Sequence, residues 1–113
     1  MDIETLEVGG GQAVVRMQVH AGLLNTHGTC HGGYVFTLAD TAFELACNSH
    51  GPPTVAAGAE IDFLAPVAAG TVLTATCEER WRQGRSGIYD VTVRDDAGEV
   101  VALFRGRSRT LRG

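Results

Sequence analysis

A chain of 113 residues and 11.9 kDa suits one domain with a real core, spanning 1–113, and is too short to enclose a large substrate within a single copy. Hydrophobic residues at 44% and charged residues at 19% exclude disorder, and a formal net charge of -4 argues against the basic surface a nucleic-acid partner calls for. No apolar run approaches the roughly 20 residues that span a bilayer, and no basic segment leads into an apolar one at the N-terminus, so the expectation is a cytoplasmic protein with no membrane partner.

Gly9, Gly10 and Gly11 form a turn, after which Val15, Met17 and Val19 alternate with Arg16, Gln18 and His20 in the period of a half-buried strand. Asn25 to Gly33 reads as a loop. From Tyr34 to Asn48 the pattern becomes helical: Phe36, Ala39, Phe43 and Ala46 share a face that Val35, Leu38, Ala42 and Leu45 widen. One polar stripe remains, made of Thr37, Asp40, Thr41, Glu44 and Asn48, and Gly51-Pro52-Pro53 ends the helix. Strand candidates follow at Thr54 to Leu64, Thr71 to Trp81, Gly87 to Arg94 and Glu99 to Thr110, separated by Pro66 to Gly70, Gln83 to Ser86 and Asp95 to Gly98. The order is an α+β layout in which a sheet curls around one long helix.

Chemistry concentrates where the Asn25-Thr-His-Gly-Thr-Cys-His-Gly-Gly33 stretch runs into the helix. Backbone N–H groups at a helix N-terminus, with the positive end of the dipole behind them, suit a developing oxyanion, which makes Gly32 and Gly33 candidate donors; the same glycines also read as the solution to a tight turn. Asp40 lies about seven residues further on, roughly 10 Å along the axis, so one acyl carbon does not reach both groups in one chain. A site using both therefore joins two subunits across a two-fold axis. Asp40 reads equally as an acid on a solvated helix face.

Other candidates are weaker. His27, Cys30 and His31 are close in sequence but lack a further ligand to complete a tetrahedral set, and Cys30 beside His31 is a nucleophile only if the two side chains converge. Cys30, Cys47 and Cys77 show no paired spacing, which points to reduced thiols. All nine basic residues are arginine, seven of them grouped at Arg80, Arg82 and Arg85 and at Arg105, Arg107, Arg109 and Arg112. Arginine suits phosphate, although solvated strand ends explain the same groups.

Several motifs together resemble the hotdog-fold thioesterases of phenylacetate degradation, the PaaI type. They are Asn25 to Gly33, Leu38-Ala-Asp-Thr-Ala-Phe43, Ala46-Cys-Asn-Ser49, Ile61-Asp-Phe-Leu64 with Pro66, Gly87-Ile-Tyr-Asp90, and Val101-Ala-Leu-Phe-Arg-Gly106. The resemblance implies one helix wrapped by five or six antiparallel strands, homodimers with two sites across the interface, and dimers of dimers. The implied reaction is hydrolysis of an acyl-CoA thioester, with ring-hydroxylated phenylacetyl groups as the suggested acyl class and no cofactor or metal. The family's catalytic carboxylate falls on Asp40, as base or nucleophile, its oxyanion amide on Gly32 next to His31, and its carbonyl contact on Asn25. Gly33 and Thr41 join the substrate site, Arg82 and Arg85 become partners for CoA phosphates, and Tyr34 and Phe36 line an aromatic pocket or pack in the core. Two departures stand out: relatives often carry a helix before the first strand, and they place Ser or Thr where this chain has Ala56-Ala-Gly58, a place Thr54 or a water could fill. A hydratase or dehydratase on the same fold, and a non-catalytic acyl-CoA-binding module, are the competing readings.

Overall fold

The computed structural model describes residues 2–111, so Arg112 lies outside the described residues. Its elements are β1 (Ile3–Gly9), β2 (Gln12–Gln18), a short 3-10 turn (Ala21–Leu23), α1 (Gly32–Asn48), β3 (Thr54–Phe63), β4 (Val72–Gln83), β5 (Ser86–Arg94) and β6 (Val100–Thr110). The strands form one antiparallel sheet in the order β1-β2-β4-β5-β6-β3, and α1 packs against it without the sheet closing into a barrel.

Two hairpins follow from local chemistry. Gly9 pairs with Gln12, leaving Gly10 at φ 59° and Gly11 at φ 81° as a two-residue turn that demands left-handed backbone at both positions. Gln83 pairs with Ser86, and Gly84 at φ 59° takes the one position that needs it.

The period-2 pattern decides which side chains meet the helix. Ala13, Val15 and Met17 of β2, Leu73, Ala75 and Cys77 of β4, and Tyr89, Val91 and Val93 of β5 are buried. Ala102 and Phe104 of β6 join them. They face Val35, Leu38, Ala39, Ala42, Phe43, Ala46 and Cys47, the buried stripe of α1. Full burial of a side chain such as Leu38 or Phe43 contributes about 1.5–3 kcal/mol, which exceeds any single cap, so packing holds this helix in place. Phe43 sets the rotation of α1. Its ring lies between Tyr89 and Phe104, with centroids 5.6 and 5.8 Å away, over a position where a Cβ on Gly106 would stand 2.7 Å from it.

The helix begins two residues before the expected start, and β2 ends at Gln18 rather than continuing through His20. The expected wrapping is one-sided: the sheet covers the apolar stripe and leaves Thr37, Glu44 and Asn48 exposed and Asp40 and Thr41 half-buried. Asn48 leaves the stripe chemically, since its amide accepts from the Thr54 N–H at 2.9 Å and donates to the Thr54 carbonyl at 3.0 Å, fastening the helix end to β3. β1 has no counterpart in the sequence pattern. A bulge between Thr5 and Glu7 breaks its alternation, and Leu6 and Val8 stay exposed, so β2 holds it by backbone pairing and by the Arg16–Glu4 ion pair at 2.8 Å.

A polar cluster anchors the far end of α1. Ser49 Oγ donates to the Ala46 carbonyl and accepts the Gly11 N–H at 2.9 Å, while the Glu79 carboxylate takes His50 Nε2 at 2.5 Å and the Tyr89 hydroxyl at 2.9 Å on one oxygen. Partial burial works to raise the Glu79 pKa, but the bonds from His50 and Tyr89 outweigh it and hold the carboxyl below its ordinary 4.5. A folded-state pKa below the unfolded one contributes stability above the unfolded value, which is lost as the pH falls through the folded value. Glu79→Gln should therefore lower the urea midpoint at pH 7, and the gap from wild type should shrink below about pH 4.5, as urea titrations at a series of pH values would show.

Candidate active site

The loop before α1 is shaped by Asn25. Its Oδ1 accepts the N–H of His27 at 2.9 Å, the N–H of Thr29 at 3.2 Å and the Thr29 hydroxyl at 3.2 Å. Two backbone donors on that atom fix the orientation of the amide, so Nδ2 is the end turned outward and Asn25 acts toward a ligand as a donor. A donor is what contact with a thioester carbonyl requires.

His31 closes the loop as the N-cap of α1, with its Nδ1 accepting the Gly33 N–H at 2.9 Å. The two candidate oxyanion donors are thereby separated. The Gly33 amide is spent on the cap, which removes it as an oxyanion donor, whereas the Gly32 N–H has no acceptor among the described residues and stands at the positive end of the helix. His31 itself is a positioning group: it occupies the neighbouring amide, and its ring meets Tyr34 edge-on at 6.0 Å.

Gly32 borders an apolar groove of about 390 Å3, whose wall includes Cys30, Val35, Phe63, Val67 and Val101. The aromatic residue in this groove is Phe63, whose ring would lie 3.1 Å from a Cβ on Gly32. Phe36 packs instead against Phe104 with centroids 5.4 Å apart, so its place is with the core, and Tyr34 stays beside His31. Sequence reasoning passed over Phe63 because its strand, β3, is exposed along nearly all its length and carries no alternation that singles the residue out.

Cys30 and His31 do not form a nucleophilic pair. The thiol is buried, its Sγ lies 3.7 Å from the His31 backbone carbonyl, and burial pushes its pKa up. His27 is exposed, so the three side chains do not converge, and no group of three or more His, Cys, Asp or Glu among the described residues is arranged to hold a metal.

Asp40 stands half-buried on the polar stripe, where desolvation raises its pKa above the ordinary 3.8. One turn on, Glu44 is raised by burial and by the charge of Asp40. Thr41 donates its hydroxyl to the Thr37 carbonyl at 2.7 Å, leaving only lone pairs to offer a ligand. From Gly32 to Asp40 is eight residues of unbroken helix, about 12 Å. Arg82 and Arg85 are exposed at the β4–β5 hairpin, ten residues along β4 from its start near the helix N-terminus, roughly 30 Å away. Within one chain the structure sets His31 and Gly32 together at the start of α1 with Asn25 in the loop that leads to them, and leaves Asp40, Arg82 and Arg85 apart.

Comparison with known proteins gives this arrangement its family. Residues 27–102 match the pattern of the thioesterase superfamily. The chain belongs to that superfamily. Among curated relatives, it is 46% identical over 113 residues to the acyl-coenzyme A thioesterase PaaI of Escherichia coli K12, covering 100% of this chain and 81% of that one. Its fold superposes on the structure of the E. coli PaaI protein from the phenylacetic acid degradation operon with a TM-score of 0.96 at 47% identity, over 98% of this chain and 80% of that one. A hypothetical thioesterase protein from Streptococcus pneumoniae TIGR4, solved with coenzyme A, matches with a TM-score of 0.92 at 28% identity over 96% of this chain and 88% of that one. The hotdog architecture of these thioesterases, one helix on a six-stranded antiparallel sheet, is the architecture of this chain.

The cap assignment has a direct consequence. His31→Ala should lower unfolding stability by about 1 kcal/mol, the usual cost of a lost N-cap, and His31→Asn should recover most of it, as urea denaturation would measure.

Proposed function

We propose that this protein hydrolyses acyl-CoA thioesters, with aryl-acetyl groups such as phenylacetyl and its ring-hydroxylated forms as the acyl class, at sites shared between two subunits. The observation that carries the proposal is the pairing, on one helix, of an unclaimed Gly32 amide with a desolvated Asp40 about 12 Å away, in a chain 46% identical to an acyl-CoA thioesterase. Neither group suffices alone. The amide stabilises an oxyanion but supplies no base, and the carboxylate activates water but leaves the oxyanion bare.

A two-fold partner resolves the distance. β3 pairs with β6 on one side only among the described residues, and its other edge presents Ala56, Ala57 and Ala59, small and exposed. An unpaired edge of this kind is a template for another strand, and antiparallel pairing of two β3 edges reverses one subunit against the other. The reversal brings the partner's helix middle toward Gly32 and swings the partner's β4–β5 hairpin to the same end, where Arg82 and Arg85 meet the phosphates of CoA. A dimer of dimers extends the same assembly. Three buried free thiols and the use of CoA suit a cytoplasmic setting, and no helix among the described residues is long and apolar enough to cross a membrane.

In the reaction the thioester carbonyl takes hydrogen bonds from the Gly32 N–H and Asn25 Nδ2. Asp40 of the partner subunit, ionised, either removes a proton from the attacking water or attacks the carbonyl itself. The tetrahedral oxyanion rests on the Gly32 amide, and its collapse breaks the C–S bond and releases CoA as a thiolate, which takes up the proton drawn from water; where Asp40 has attacked, water then opens the mixed anhydride to free acid and the restored carboxylate.

Thiol release from phenylacetyl-CoA tests the reading. Asp40→Asn should lower kcat by about 10²–10⁴-fold, the range for a lost general base, with the fold intact by circular dichroism. Wild-type protein that releases no thiol from aryl-acetyl or mid-chain thioesters would overturn it. Because the working form of Asp40 is the ionised one and burial raises its pKa, the acid limb of kcat/KM against pH should fall away at a value above 3.8, and added burial at the subunit interface acts in the same direction.

A further inference from the structure

The geometry points to Phe63 as the residue that selects the acyl group, by forming the one adjustable aromatic wall of the groove beside Gly32. The inference rests on the thioesterase reading and adds to it a determinant of specificity.

Three observations carry it. The Phe63 ring is seated on the Cα of Gly32, with ring atoms 3.1 to 3.5 Å from where a Cβ would be, so whatever is bound through the Gly32 amide lies against that ring. The groove that begins there is apolar, and its floor is rigid: Cys30, Val35, Val67 and Val101 are all buried. The ring itself is 54% exposed, held on one side and open on the other.

The backbone beneath it is fixed. Leu64 and Ala65 both donate to the Val101 carbonyl, at 2.8 and 3.3 Å, and Cys30 donates to the Val67 carbonyl at 2.7 Å, so the segment after β3 is stitched to β6 and to the loop before α1. Rotation of the Phe63 side chain is therefore the change that alters the groove without moving the chain. Leu64 is equally exposed and lines the same groove, but the atoms nearest a Cβ on Gly32 belong to the Phe63 ring, and the aliphatic Leu64 side chain offers no ring to an aryl group.

An aryl-acetyl group placed with its carbonyl at the Gly32 amide puts its ring one methylene beyond the carbonyl carbon, within reach of Phe63. Offset or edge-on packing of two rings rewards an aryl group over an alkyl chain of similar area, and a pocket discriminates by such differences in the transition state. A linear chain gains nothing from the ring and is obstructed by it.

The test is a comparison of wild type, Phe63→Leu and Phe63→Ala on phenylacetyl-CoA and octanoyl-CoA. The kcat/KM ratio of the aryl to the linear substrate should fall by about tenfold or more in Phe63→Ala and by less in Phe63→Leu, which keeps bulk without the ring, with octanoyl-CoA turnover unchanged or raised. A uniform loss on both substrates, or an unchanged ratio, would overturn the assignment while leaving hydrolysis in place. Binding of a non-hydrolysable aryl thioether of CoA, measured by calorimetry, decides the point independently of turnover. Weaker binding in Phe63→Ala with unaltered affinity for free CoA supports it, and equal binding of the aryl ligand by both proteins sinks it. Wild type that releases no thiol yet binds the thioether more tightly than the variant would refute the hydrolysis reading alone.

Discussion

The rotation of α1 about its own axis is the constraint on which the rest depends. The Phe43 ring, set over Gly106 between Tyr89 and Phe104, leaves the helix one way to lie on the sheet. Once that contact is made, the 3.6-residue period assigns every other position. Leu38, Ala42 and Ala46 go to the core, and Asp40 and Thr41 go to the margin where they are half-buried. Desolvation of Asp40, which raises its pKa above the ordinary 3.8, is thus a by-product of core packing elsewhere on the helix.

The two ends of α1 are finished differently, and the difference is functional. At the C-terminal end Ser49, Asn48, His50 and Glu79 satisfy the exposed groups with hydrogen bonds to the β1–β2 turn, β3 and β4. At the N-terminal end one amide, that of Gly33, is capped by His31, and the amide before it is left free. A helix start that carries a histidine cap one residue ahead of an uncovered amide is stable enough to hold its shape and still has a donor to spend on a ligand. A side chain in place of Gly32 would press on the Phe63 ring, whose nearest atom stands 3.1 Å from the Cβ position, so the ring would have to give way.

Incompleteness of the single chain is built into this arrangement. The eight-residue step from Gly32 to Asp40 cannot be shortened without breaking α1, and α1 cannot be broken without losing the core. The exposed edge of β3 and the uncovered polar stripe are two features that one copy leaves unpartnered.

Periodicity alone was enough to reveal the helix from Tyr34 to Asn48, the strands after it and the one before it, because each buries one face and so repeats at 3.6 or 2. The distance between Gly32 and Asp40 is also legible in the sequence, since helical rise is independent of what surrounds it. β1 was not legible, as its bulge and exposed Leu6 and Val8 leave it held chiefly by backbone pairing, which no side-chain pattern records. Tertiary structure alone could tell that the Gly33 amide is bonded and the Gly32 amide is not, since that turns on where one histidine nitrogen points. It alone moved Phe36 into the core and put Phe63 in the groove, because Gly32 and Phe63, 31 positions apart, meet only after β3 has folded back past the helix N-terminus.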